Sequence, residues 1–93
     1  MSAVKAVNAV TVRYFAALRE LLGHEQESVA VSDGAITFVE LLDHLRLVHG
    51  DEIVDRLIAP GVRLAVNDEL VEGAAPALAG GDRIAFLPPV TGG

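Results

Sequence analysis

The sequence predicts an α+β fold, a mixed β-sheet laid over one face of a single main helix. Three observations carry that expectation. β-rich segments of alternating polarity lie near both ends of the chain, one capped amphipathic helix lies between them, and the elements run strand, strand, helix, strand, strand. The 93 residues are read as one small domain spanning 1–93. A chain of that size buries roughly 60–65% of its unfolded surface. One Tyr, three Phe and no Trp leave Val, Leu, Ile and Ala to build the core, with aromatic stacking expected to contribute little.

The first strand is "NAVTVRYF", Asn8 to Phe15. Val10, Val12 and Tyr14 point one way, and Thr11, Arg13 and Phe15 the other. "AALRELLG", Ala16 to Gly23, supplies good helix formers closed by a glycine, a short helix of about two turns. "ESVAVS", Glu27 to Ser32, is a second strand, close enough to the first for a hairpin-like pair. The main helix follows. Thr37 with Glu40 three residues on fits a capping box, and Ile36 is placed to staple onto Leu41. Phe38, Leu41, Leu42, Leu45 and Val48 recur at helical spacing, so one apolar stripe runs until Gly50 ends it. In "GVRLAVN", Gly61 to Asn67, Val62, Leu64 and Val66 share one face of a third strand. "NDEL" makes a tight turn. "GGDRIAFL", Gly80 to Leu87, enters a last strand in which Ile84 and Phe86 alternate with Ala85 and Leu87.

In a sheet built in this order, the first and last strands run parallel at the centre and the main helix is their crossover. That arrangement is the β-grasp, the ubiquitin architecture. Strand phase then puts Phe15 and Leu87 on the face away from the helix. They form either a docking patch beside the C-terminal tail or two chance exposures.

Cysteine is absent, which excludes disulfides, thiolate metal sites and a cysteine nucleophile. Thirteen acidic residues against seven basic ones give a net charge of -6, which repels a phosphate backbone, so no nucleic-acid partner is expected. The same charge serves solubility. The apolar runs are too short for a membrane span and Met1 to Val10 lacks the pattern of a signal peptide, so a cytoplasmic location with no membrane partner is expected. His24, His44 and His49 are read as solvated surface residues, because His44 and His49 are five apart where helical ligands prefer three or four. No metal site is expected. "GGD", Gly80 to Asp82, is a strand-entry turn with no lysine after it to make a phosphate loop. Asp51, Glu52 and Asp55 are read as a solvated helical turn, and no acid, base and nucleophile trio argues for an enzyme acting alone.

The tail, residues 88–93, reads "PPVTGG". Pro88 and Pro89 donate no ladder hydrogen bonds, so the sheet is expected to stop near Leu87 and the chain to leave extended. Val90 and Thr91 favour extended backbone. Gly92 and Gly93 carry no side chain, so the end of the chain could thread a narrow channel and present its α-carboxylate to another protein. Small residues also collect at chain ends with no such role. Diglycine as the true terminus, after a diproline stop and on this strand pattern, favours the threading reading.

"VRYFAALRELLG", "LAVNDELV" and "GDRIAFLPPVTGG" resemble the ubiquitin-like sulfur carriers, and among them the small subunit of molybdopterin synthase. The resemblance runs from about Val10 to Gly93. Residues 1–7 are read as a flexible extension without a family counterpart, and 51–60 as a variable segment.

The resemblance implies a cycle at Gly93. A ubiquitin-activating-like adenylyltransferase would use ATP to form a glycyl adenylate, and a sulfurtransferase or persulfide donor would replace AMP, leaving a C-terminal thiocarboxylate (1-thioglycine). Inserted into the large synthase subunit, that group would attack cyclic pyranopterin monophosphate and build the dithiolene of molybdopterin. The catalytic groups would belong to the large subunit, within a heterotetramer, and no cofactor would be bound by this chain. Phe15, Leu70 and Leu87 match family positions of the apolar docking surface. Pro88, Pro89, Val90 and Thr91 match the inserted tail, with Gly92 and Gly93 at its reacting end. Leu87 stands where the family often has an aromatic residue. Two rival functions are a sulfur carrier for thiamine or cysteine synthesis, and a protein modifier conjugated to lysines through Gly93.

Overall fold

The first strand, β1 (Ala9–Tyr14), buries its even positions: Val10 and Val12 are fully enclosed and Tyr14 nearly so. The computed structural model describes residues 8–89; the expected extension at 1–7 and the tail beyond Pro89 lie outside them. β1 pairs antiparallel with β2 (Gln26–Ala30) on one side and parallel with β7 (Arg83–Leu87) on the other. β7 in turn pairs antiparallel with β4 (Arg63–Val66), which carries β5 (Glu69–Leu70) at the edge. The sheet order β2-β1-β7-β4-β5 puts the first and last strands at the centre and in parallel, as the strand order predicts for a β-grasp.

The central pair cannot be joined by a tight turn, so the chain crosses over through α2 (Phe38–His49). Thr37 Oγ1 accepts from the Glu40 N–H at 3.1 Å, and Glu40 Oε1 accepts from the Thr37 N–H at 2.9 Å, completing the capping box. Leu41 and Leu45 are fully buried under the sheet, with Phe38 and Leu42 packed beside them. The stripe differs from expectation at its end. Val48 is exposed, and the i+4 step from Leu45 carries His49 inward instead.

The aromatic expectation is corrected too. Few aromatic rings do not mean scattered ones: Tyr14 stacks on Phe86 with centroids 6.0 Å apart, and Phe38 meets Phe86 at 6.3 Å. Adjacent central strands put Tyr14 and Phe86 opposite each other, and the helix brings in Phe38 from above. Removing the fully buried Phe86 ring would cost about 3–5 kcal/mol.

Four elements go beyond the sequence reading, the edge strand β5 among them. α1 (Ala16–Leu22) was expected and ends on Gly23 as expected, but α3 (Asp51–Leu57) is a packed helix in the segment read as variable. Its acidic positions face solvent, yet Val54 and Leu57 are fully buried. β3 (Ala35–Ile36) and β6 (Leu78–Ala79) form a separate two-stranded sheet, too short for periodicity to register. The Asn67–Asp68 turn joins β4 to β5 with both central residues at positive φ, 50° and 74°, the twist a two-residue hairpin requires.

Candidate functional site

The open face of the sheet, opposite α2, is set by register. Arg13 pairs with Ala85, Ala85 with Ala65, and Ala65 with Leu70, so these side chains form one row across four strands. Leu87 opposes Arg63 two residues further along β7. Phe15 and Leu87 each follow directly on the Tyr14–Phe86 pair, so they leave the two central strands side by side. Both are half-buried, while Leu70 at the sheet edge is 51% exposed. The expected docking residues therefore share one surface, with small alanines between them that leave it flat.

That surface also carries cations, which composition alone does not reveal. Arg13, Arg63 and Arg83 all project from it in a chain of net charge -6. The Arg13 guanidinium lies 5.0 Å from the Phe15 ring centroid, a cation–π contact that braces the ring. Arg83 Nη2 donates to Asp68 Oδ2 at 2.9 Å. Their clustering was legible from phase, since Arg13, Arg63 and Arg83 each sit at outward positions of alternating strands.

β7 ends at Leu87, where the diproline was expected to stop it. Pro88 is half-buried and Pro89 is exposed toward solvent, but Pro89 rests against Gly61 at the entry to β4. No local pattern along the chain signals that contact. Val90, Thr91, Gly92 and Gly93 lie outside the described residues. The strand-entry turn at Gly80 to Asp82 is as expected: Gly81 has φ 94°, and Asp82 Oδ2 accepts from the Ala79 N–H at 2.8 Å.

The histidines depart from expectation. His49 is largely buried, and the fold brings it to Glu27, with Nε2 2.7 Å from Glu27 Oε2. His24 Nε2 lies 3.6 Å from the same oxygen. The Tyr14 hydroxyl also donates to it. Burial, the Glu27 hydrogen bond and the Glu27 charge together push the Tyr14 hydroxyl far above its ordinary range. Burial alone would raise the Glu27 carboxyl, but the bonds from Tyr14 and His49 and the neighbouring imidazoles outweigh it and hold the group below its usual range. Reading along the chain could not find this set, because Glu27 and His49 are 22 residues apart. His44 instead lines a shallow cleft of about 420 Å³ with Ser32, Asp33, Glu40 and Asp43.

Among the described residues no helix is long and apolar enough to cross a membrane. The model of the ThiS family matches residues 12–93. The molybdopterin synthase sulfur carrier subunit of Escherichia coli K12 is 37% identical over 84 residues, covering 90% of this chain and 99% of that protein. Among solved structures, SAMP1 from Haloferax volcanii superposes with a TM-score of 0.71 at 27% identity, over 91% of this chain and 99% of its own. The complex of subunits 1 and 2 of molybdopterin-converting factor from Helicobacter pylori contains a chain that superposes with a TM-score of 0.60 at 27% identity, over 91% and 99%.

Proposed function

The chain belongs to the ThiS family, and from that membership we propose that it is the sulfur-carrier small subunit of a molybdopterin synthase, acting through Gly93. The observation that carries the reading is the near full-length match to the Escherichia coli sulfur carrier subunit, beside a ThiS family match that runs to Gly93. The fold supports it physically. A flat open face bearing Phe15, Leu70 and Leu87 lies beside the strand end from which Pro88 and Pro89 lead the tail away.

In this reading the face docks on the large subunit and the tail enters that subunit's active site. The carboxylate of Gly93 is first joined to AMP, with pyrophosphate released; the outer sulfur of a persulfide on the donor or sulfurtransferase then displaces AMP to give an acyl disulfide, and a thiol of that donor protein cleaves its S–S bond, leaving the thiocarboxylate and a disulfide. The chain has no cysteine, so the sulfur rides on the terminal carbonyl carbon. Glycine suits that position because no Cβ shields the carbon during loading or release. The thiocarboxylate sulfur attacks cyclic pyranopterin monophosphate, and water cleaves the acyl intermediate to return the carboxylate. The acids and cations for those steps come from the large subunit, and this chain holds no cofactor of its own.

Arg13 and Arg63 give the docking face a second selection rule. An apolar partner surface rimmed with carboxylates would pair with them and with Phe15 and Leu87. The likeness to SAMP1, the small archaeal modifier protein 1 of Haloferax volcanii, supports a second reading in which Gly93 is conjugated to lysines.

A reconstitution separates them. Carrier loaded as the thiocarboxylate is mixed with a molybdopterin synthase large subunit and cyclic pyranopterin monophosphate, and carrier mass and dithiolene product are followed together. Sulfur lost with product formed is the expected result. Sulfur retained, while a control carrier turns over, would move the chain to another pathway or to conjugation.

A further inference from the structure

At the end of the sheet where β1 finishes and β2 begins, three side chains from three different elements converge. His24 stands in the α1–β2 connection, turned there by Gly23 in the left-handed conformation with φ 85°. Glu27 is on β2 and His49 is in the last turn of α2. We propose that His24, Glu27 and His49 form a binding site for one divalent transition-metal ion of the zinc class.

The geometry is close to what such an ion requires. One ligand atom from each residue lies within 4.8 Å of the others. With zinc bonds of about 2.0–2.2 Å, tetrahedral ligand atoms stand about 3.3 Å apart. The His24 Nε2 to Glu27 Oε2 separation is 3.6 Å, so that edge needs almost no change. The His49 Nε2 to Glu27 Oε2 separation of 2.7 Å is a hydrogen bond, and the metal would take the place of its proton. A neutral His49 would bind as the tautomer with its proton on Nδ1, turning the Nε2 lone pair to the ion.

Access and chemistry agree. The His24 side chain is 46% exposed and Glu27 and His49 are 18% and 11%, so the site has a floor and one open side. An ion can enter past His24, and water can complete the shell there. Two imidazoles and a carboxylate suit zinc, cobalt, nickel and copper better than the hard cations calcium and magnesium. Tyr14 donates to the Glu27 carboxylate from the core side, the outer hydrogen bond that fixes a metal-binding carboxylate in place. A bound ion would tie the end of α2 to β2 and to the α1–β2 connection, and so stabilise the folded state by mass action.

The test uses the full chain, stripped with chelator, titrated with zinc chloride by calorimetry and by NMR of the histidine ring protons. The expected result is one equivalent bound, with the His24 and His49 signals shifted and His44 unmoved, and a melting temperature that rises with zinc concentration. His24→Gln is half-exposed and should fold as the parent does, yet bind zinc at least ~10-fold more weakly. His44→Gln should bind as the parent does. Absence of saturable binding up to millimolar zinc would overturn the site. So would affinity unchanged in His24→Gln, or a titration that moves His44 and leaves His24 and His49 in place.

Discussion

Gly61 lies directly beneath Pro89: a Cβ added at Gly61 would come 3.0 Å from the Pro89 Cβ, and the Gly61 backbone has φ +93°. The turn that enters β4 is thus the seat on which Pro89, the second residue of the tail, rests.

Gly61→Ala strains the backbone and pushes Pro89 off its seat. The positive φ alone costs about 1–3 kcal/mol for a residue with a Cβ. Urea unfolding should show that loss, and single-turnover sulfur transfer to cyclic pyranopterin monophosphate in the presence of the large subunit should slow by more than the lost stability explains. Transfer at the parental rate in the folded fraction would mean the seat does not aim the tail.

Leu87→Asp places a charge on the proposed docking face beside Arg63. Burying it against a partner carries a desolvation cost, and affinity for the large subunit should fall at least ~10-fold by calorimetry. Val39→Asp, on the outward side of α2 where Val39 is 66% exposed, should leave affinity unchanged. Equal effects from the two would place docking elsewhere.

Deleting Gly93 should abolish thiocarboxylate formation and sulfur transfer while leaving the thermal midpoint within a degree or so. Among the described residues the buried set runs from Val10 to Phe86, and a glycine has no side chain to add to a core. Intact-mass analysis after incubation with the activating enzyme, ATP and a sulfur donor reads the loss directly. Sulfur gained by the truncated chain would refute the role of Gly93.

Thr37→Ala removes the acceptor of the Glu40 N–H and half of the capping box. Stability should drop by about 1 kcal/mol, measured by chemical denaturation. Thr37→Ser should keep most of it, since a hydroxyl at that position is what the helix end requires.

Asp82 titrates low because its carboxylate accepts the Ala79 N–H, then the Asn67 amide, with Arg83 adjacent, against a smaller opposing effect of burial. Its folded pKa lies below its unfolded one, so its stabilisation is complete above the ordinary aspartate range and is lost as pH falls through the folded value. Asp82→Asn should be less stable than the parent near neutrality, and its unfolding midpoint should fall less between about pH 5 and pH 2. Parallel curves for the two proteins would remove Asp82 from the acid response.

Much of the architecture was legible along the chain. Val10, Val12 and Tyr14 alternate with polar neighbours, so β1 has one buried face whatever covers it. Thr37 and Glu40 mark the start of α2 within four residues of each other, and two prolines stop β7 without help from the rest of the fold. That Phe15 and Leu87 share the open face followed from phase once the two central strands were placed side by side. α3 was missed because its acidic residues outnumber the two apolar ones it buries, Val54 and Leu57.

By itself the sequence determined the element order, the inward and outward faces and the chemistry available at the tail, because those depend on neighbours two to four residues apart. Only the tertiary structure decided that Tyr14, Phe38 and Phe86 would meet, that Pro89 would settle on Gly61, and that His24, Glu27 and His49 would share a corner. Those pairings join residues from 22 to 72 positions apart in the cases of His49 with Glu27 and Phe86 with Tyr14. Their contact is fixed by how the helix crosses the sheet and how the strands register, and no local pattern along the chain encodes it.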